Sequence, residues 1–398
     1  MGRARRQVRA LAARKAGGLS VATVLLYGDT IRYPALRHEV PLEIVDPLLL
    51  VARNGRASML TSSLEAERIS RVLPGAELLL IEELGFFELL EDGVPRDEAE
   101  LEMVARAVGR RGIRDAVVAG DLPVAVADRL RDAGIRIDVD TDTVNARRRV
   151  KSPAELAGIR RALRAAEAGM AAGESLIRRA DREAGRLVSD GEPLTAEAVR
   201  SEIRAACAAA GAPAPPDMMV VSTLSGGGHD PGSGPLPADL PIVVDLWPRD
   251  EESGCWADMA RTFVAGDISS EVAGLRDTVR EALEAARAAA RPGIGGRALY
   301  DVAAEIIERA GYPTQRTRAP GEHLTHGFYF SLGHGVGVEM HEPPVLGLAS
   351  GETLVAGDVV AIEPGIEGLD GIGGVTYEDL VLVTDDGCET LTRYAYDL

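Results

Sequence analysis

From Val21 to about Asn145, short apolar runs alternate with helix-like stretches. VATVLLY, PLLLVA, ELLLIE, DAVVAG and IRIDVD are the short apolar runs, and they read as strands. An acidic amphipathic segment near 97–110 and a further helix lie between them, so the alternation predicts an α/β domain. This part contains one histidine, His38, and no cluster of groups suited to chemistry. A supporting or oligomerising role is therefore expected of it.

The pattern changes at KSPAELAGIRRALRAAEAGM, where Ser152 can cap a helix, Pro153 suits its first position and Glu155 closes a capping box. Leu156, Ile159, Leu163, Ala166 and Met170 recur at helical spacing, so one face of a long helix should pack on a core. We place a domain boundary just before it, giving 1–149 and 150–398. Further amphipathic helices are expected at about 195–210, 270–291 (Val272, Leu275, Val279, Leu283) and 297–310, the last stopped by Gly311 and Pro313. The stretches between them read as strands and glycine-rich turns.

Polar residues break two of those strands in the same way. LPIVVDLW sets Asp245 among apolar residues, and thirteen positions later CWADMARTFVAG presents Asp258. DVVAIEPGI then presents Glu363, and fifteen positions on GGVTYEDLVLV presents Glu378. Each pair reads as a hairpin with two buried acids. A lone ionised acid in an apolar strand costs several kcal/mol unless it is paired. For any single one, a satisfied structural carboxylate is the simpler account; the repeat of the pattern in two distant hairpins asks for a shared one. Two divalent cations would cancel the four negative charges. His334, set between glycines in SLGHGVGVEMHEPP, supplies a fifth ligand. Four carboxylates with one imidazole suit Mn²⁺, while Co²⁺, Fe²⁺ or Zn²⁺ could occupy the same donors.

The remaining candidates are weaker. His341, seven residues after His334, becomes a plausible proton donor or oxyanion partner beside a metal ligand. His229 lies in the polar loop SGGGHDPGSG shortly before the first acid strand. His323 and His326 read as loop residues, and Trp247, Trp256 and Cys255 as packing. The glycine runs at 226–228 and 371–374 are too irregular for a phosphate loop.

Composition narrows the classes. With 46% hydrophobic and 27% charged residues the chain is an ordinary globular one, and no apolar run approaches the ~18–20 residues of a membrane span. The net charge of −18 argues against nucleic acid as a partner, because phosphate contacts need clustered cations. Cys207, Cys255 and Cys388 are odd in number and form no Cys-x-x-Cys pair, which favours a reducing compartment. The basic start MGRARRQVRALAARK precedes the short apolar VATVLL without a small-x-small cleavage site, so a solvated extension and a cytoplasmic location are expected.

VVDLW, ADMARTFVAG, GHGVGVEMHEPP, AIEPG and GGVTYEDLVLVTDDGCETLT together resemble the five metal-site blocks of the M24 metallopeptidases, in the Xaa-Pro aminopeptidase and prolidase branch. KSPAELAGIRRA resembles the start of that family's catalytic domain. The resemblance implies a creatinase-like N-terminal α/β domain followed by a pita-bread catalytic domain of two pseudo-symmetric halves. It also implies roles. Asp245 would bind one metal, Asp258 and Glu378 would bridge both, and His334 and Glu363 would complete the other. Glu363 would relay a proton, His341 would polarise the scissile carbonyl, and His229 would contact a short peptide substrate beside the metals. A homodimer is implied as well. Three positions depart from the pattern: PRDEESG lengthens the first hairpin, Thr376 stands where aminopeptidases P commonly have arginine, and Glu367 where a tyrosine is often found. The expected activity is removal of an N-terminal residue from short peptides, with an Xaa-Pro dipeptidase as alternative. Metal-free creatinase-like amidinohydrolysis and a catalytically inactive peptide-binding module are the readings from other classes.

Overall fold

A computed structural model describes residues 22–222 and 229–398, so the basic N-terminal segment and the glycine run at 226–228 lie outside the described residues. The chain divides into two compact units, Met1–Val150 and Lys151–Leu398.

In the first unit, β1 (Val24–Gly28), β2 (Leu48–Arg53), β3 (Arg56–Thr61), β4 (Glu77–Leu80), β5 (Asp115–Val118) and β6 (Arg136–Val139) form one mixed sheet. Its order is β4-β3-β2-β1-β5-β6. Alternate residues of a strand face opposite sides, and here both sides are buried. Leu25, Leu49 and Val51 pack with Met103, Val104 and Val108 of the Arg96–Arg110 helix, whereas Val24, Leu26, Leu48 and Leu50 pack with Ile69 on the other face. Strand β3 has no counterpart in the apolar runs of the sequence. It follows β2 through Asn54-Gly55, both at positive φ (52° and 77°), as a tight hairpin turn requires.

The second unit repeats one plan. The Pro153–Arg179 helix packs with the Ala196–Ala209 helix, and the Ser270–Ala289 helix with the Gly296–Arg309 helix. At the first of these the capping box is formed in full, Ser152 accepting from the Glu155 amide and Glu155 from the Ser152 amide. After β7 (Asp181–Glu183), β8 (Arg186–Ser189) and β9 (Glu192–Pro193), which form a small sheet, come β10 (Met219–Val221), β11 (Ile242–Leu246) and β12 (Met259–Phe263), in the order β10-β11-β12. The other half holds β13 (Gly333–Gly335), β14 (Glu342–Leu346), β15 (Val359–Ile362), β16 (Gly365–Leu369), β17 (Gly373–Thr376), β18 (Asp379–Val383) and β19 (Cys388–Thr390). Its main sheet runs β14-β13-β15-β18-β19, with β16-β17 as a separate ribbon. Each helix pair covers its own core, one built around Ile159, Met170, Ile203 and Val244, the other around Leu275, Leu283, Ile307 and Ile362.

Candidate metal centre

Asp245 sits in β11 opposite Ala260 of β12, and Asp258 directly precedes β12. The longer turn between them is tied down locally. Asp250 accepts from the Ser253 amide (2.8 Å) and hydroxyl (2.6 Å) and from Nε and Nη2 of Arg161, each at 2.8 Å. Trp247 and Cys255 are buried in the adjoining core, and Arg249 lies 5.6 Å from the Trp256 ring.

The second acid pair is placed differently from the sequence reading, which set both acids inside strands. Ile362 pairs with Asp379, and the ladder resumes only at Gly365 with Thr376. Glu363-Pro364 and Tyr377-Glu378 therefore face each other at a break, where proline has no N–H to offer a ladder. This break is stitched to β12. The Glu378 amide donates to Ala260 O (3.1 Å), and the Thr262 hydroxyl accepts from the Thr376 amide and donates to its carbonyl, each at 3.0 Å. The fully buried Arg261 guanidinium donates to Ala260 O (2.8 Å), Glu378 O (2.6 Å) and Asp379 (2.9 Å). The acids of both hairpins are thereby brought to one place.

Asp245, Asp258 and Glu378 offer carboxylate oxygens within 4.8 Å of one another, and Asp258 stands at the same range from His334 and His341. His334 Nε2 lies 3.7 Å from an oxygen of Asp258 and 3.7 Å from one of Glu363. Its Nδ1 is 3.1 Å from Gly335 O, an acceptor only, so Nδ1 holds the proton and Nε2 presents its lone pair to the acids. The glycine before His334 is required by space. A Cβ on Gly333 would lie 2.0 Å from Ala361 O of the neighbouring strand. Gly333→Ala should push β13 off β15 and carry His334 with it. A destabilisation of about 1–3 kcal/mol and a loss of activity of about 100-fold are expected, read by thermal melting and steady-state kinetics.

Electrostatics mark the cluster as a cation site. Burial, and then the Glu367 charge, push Asp245 up to about 7, and burial with Asp245 and Glu367 pushes Glu363 up to about 8. Burial and the neighbouring acids raise Asp258 and Glu378 well above the usual carboxyl range. Asp245 Oδ1 and Glu378 Oε1 are buried with no hydrogen-bond partner among the described residues. Unpartnered oxygens in a ring of mutually repelling acids are what a bound cation satisfies. Burial and His341 hold His334 down to about 4, so it is neutral at pH 7, the form in which imidazole ligates metal. The residues present thus fit divalent metal: Asp245, Asp258 and Glu378 form one group able to hold a cation, and Asp258, His334 and His341 another.

The other histidines separate. His341 stacks edge-on to His334 with ring centroids 4.1 Å apart, and His229, exposed, acts electrostatically on both His341 and Glu367. His323 and His326 are exposed loop residues.

Two features beside the centre were not read from the sequence as contacts. Glu367 accepts from the Thr376 hydroxyl (2.8 Å) and the Tyr329 hydroxyl (3.2 Å), which joins two of the departures noted above. Lys151 and Glu342, each about 1% exposed, form an ion pair one residue from His341. Glu367 and Thr376 were visible as unusual residues, and the Gly365–Thr376 register brings them near; Tyr329 gave no signal at all.

Residues 157–385 match the model of metallopeptidase family M24. The YkvY protein of Bacillus subtilis is 29% identical over 318 residues, 77% of this chain and 79% of that protein. An Xaa-Pro dipeptidase of Pyrococcus furiosus is 37% identical over 157 residues, which span 39% of this chain and 41% of the relative. Among solved structures, an Xaa-Pro dipeptidase from Bacillus anthracis superposes with a TM-score of 0.74 at 22% identity, covering 100% of this chain and 98% of the other. That likeness is one of fold: a mixed α/β, two-domain pita-bread architecture.

Proposed function

Since the chain belongs to metallopeptidase family M24 and is a peptidase, we propose that it is a dinuclear metal-dependent exopeptidase that removes the N-terminal residue of short peptides, with proline favoured after the scissile bond. The observation that supports this best is the pair of unpartnered buried oxygens, Asp245 Oδ1 and Glu378 Oε1, clustered with Asp258, which in turn neighbours His334, itself 3.7 Å from Glu363. In this reading Asp245 binds one cation, Asp258 and Glu378 bridge, and His334 and Glu363 complete the second position. Mn²⁺ is the preferred ion on donor type, four carboxylates and one imidazole.

Divalent cations bound there would lower the pKa of water toward neutrality and so supply a nucleophile. The chain's own residues do the rest. Glu363, 24% exposed against 6% for Asp258, is open enough to take the proton of the attacking water and pass it to the leaving amine. His341, exposed beside His334, donates to the scissile carbonyl as negative charge develops on its oxygen. His229 contacts the substrate on the side shared by His341 and Glu367. A homodimer and a reducing, cytoplasmic setting belong to the same proposal, as does a supporting role for the first unit. No helix among the described residues is long and apolar enough to cross a membrane.

A second reading, an Xaa-Pro dipeptidase, is favoured by the likeness to the Xaa-Pro dipeptidase of Pyrococcus furiosus. One experiment separates these readings from a binding-only protein. Xaa-Pro-Yaa tripeptides, Xaa-Pro dipeptides and Xaa-Ala controls are incubated with Mn²⁺, using Asp258→Ala as the blank and His341→Ala and His229→Ala as tests. Metal-dependent cleavage absent from the blank is expected, and the better peptide length decides between aminopeptidase and dipeptidase. Both histidine variants should lose kcat while keeping metal. No cleavage across the panel with metal bound would remove the Xaa-Pro exopeptidase proposal, and loss of metal in His341→Ala would make that residue a ligand.

A further inference from the structure

We propose that Glu367 is a specificity residue that selects substrates bearing a positive charge on the residue N-terminal to the scissile bond. The inference rests on the peptidase reading above and deepens it.

The argument is one of charge balance. Asp245, Asp258, Glu363 and Glu378 carry four negative charges, which two divalent cations would cancel. Glu367, on β16 four residues beyond Glu363, adds a fifth carboxylate close enough to act electrostatically on both Asp245 and Glu363. Unlike Asp245 and Glu378 it has no orphaned oxygen: Oε1 accepts from Thr376 at 2.8 Å and Oε2 from Tyr329 at 3.2 Å, and each oxygen keeps a second lone pair for a further donor. Burial raises the pKa of Glu367, and the two donating hydroxyls and His229 oppose that rise without supplying a full positive charge. No arginine or lysine pairs with it among the described residues, and the only basic group acting on it is His229. A half-buried carboxylate without a full cationic partner is costly to ionise, and the missing partner is one that a substrate can bring. Glu367 is only half-buried and His229 acts on it electrostatically, so the proposed function, which sets His229 against the substrate, sets this carboxylate on the same side of the metal centre.

An ammonium or guanidinium group would meet this requirement, and it has two sources in a peptide: the free N-terminus, or the side chain of an N-terminal lysine or arginine. The test uses wild type, Glu367→Gln and Glu367→Asp, loaded with Mn²⁺ and matched for metal content and melting temperature. Binding of L-lysine, L-norleucine and Nα-acetyl-L-lysine is measured by calorimetry, and kcat/KM is measured for Lys-Pro-Ala and norleucine-Pro-Ala. The expected result is a loss of about tenfold or more for the charged ligand in Glu367→Gln, as for a charge-assisted hydrogen bond, with partial retention in Glu367→Asp. If the side chain is the source, wild type prefers lysine to norleucine and Glu367→Gln does not. If the N-terminus is the source, lysine and norleucine weaken together in the variant, while Nα-acetyl-lysine binds wild type and variant alike. Equal binding of all three ligands to wild type and Glu367→Gln overturns the proposal. Calorimetry needs no turnover, so absence of cleavage with the expected binding differences would remove the exopeptidase reading and leave the cation site standing.

Discussion

Replacing Asp258 with asparagine is expected to lower kcat by at least ~10³-fold, on the scale seen when a group essential to transition-state stabilisation is removed, and to raise the melting temperature of the metal-free protein at pH 8. The two effects have one cause. Asp258 stands within 4.8 Å of both the Asp245–Glu378 pair and the His334–His341 pair, so it is the one acid common to the two groups of donors. Its neutral isostere keeps the packing of the hairpin but removes the charge that both positions need. In the metal-free chain that same charge is repelled by Asp245 and Glu363, and removing it relieves the fold. Atomic-emission metal analysis, steady-state kinetics and calorimetry on one preparation check the three parts. An inactive variant that still bound two equivalents of metal would show that Asp258 acts on substrate rather than on the ions.

Metal removal should convert the centre into a pH-dependent weakness. A carboxyl whose pKa is raised by folding binds its proton more tightly in the folded than in the unfolded chain, so stability falls as pH rises above the ordinary carboxyl range, near ~4. The fall is complete only beyond the folded values, about 7 for Asp245 and about 8 for Glu363. Asp250 works the other way: hydrogen bonds from Arg161 and Ser253 outweigh its burial and hold it low, so its contribution is lost at acid pH. The chelated protein should therefore melt highest near ~pH 5 and lose on the order of a few kcal/mol by ~pH 8. Added Mn²⁺ should restore it, by binding the folded chain alone. A melting temperature of the chelated protein that rose steadily from pH 5 to pH 8 would refute this account.

The helices were legible because their signals are local. Ser152, Pro153 and Glu155 specify a helix start without reference to anything distant, and the apolar stripe of Leu156, Ile159, Leu163 and Met170 becomes the buried face. Strand β3 was missed because RASMLT does not alternate cleanly; the Asn54-Gly55 dipeptide was its usable signal. The acids were conspicuous because each interrupts an apolar run, and the structure sets them together. Their placement at the end of β15 and between β17 and β18 was not legible, since it depends on pairing between chain segments fifteen residues apart. Long-range partners are a harder case still. Arg261 reads as a surface residue of a strand, yet it is about 1% exposed, and its buried partners lie more than a hundred residues away. The Tyr329–Glu367 contact is of the same kind, formed by residues with no pattern in common.

Arg261 has a mechanical consequence. It belongs to the first half of the catalytic unit, but it grips Glu378, Asp379, Tyr394 and Ala395 of the second, while Arg287 and Tyr396 hold the other oxygen of Asp379 at 2.5 Å each. Two helix-covered cores joined by a seam would ordinarily be free to hinge. Here the rivet lies directly behind the acids, so any gaping of the halves must first strip four hydrogen bonds from a buried guanidinium. The duplicated architecture behaves as a clamp locked at its jaw, and the spacing of the acids from one hairpin to the other is set by the lock rather than by whatever the jaw holds.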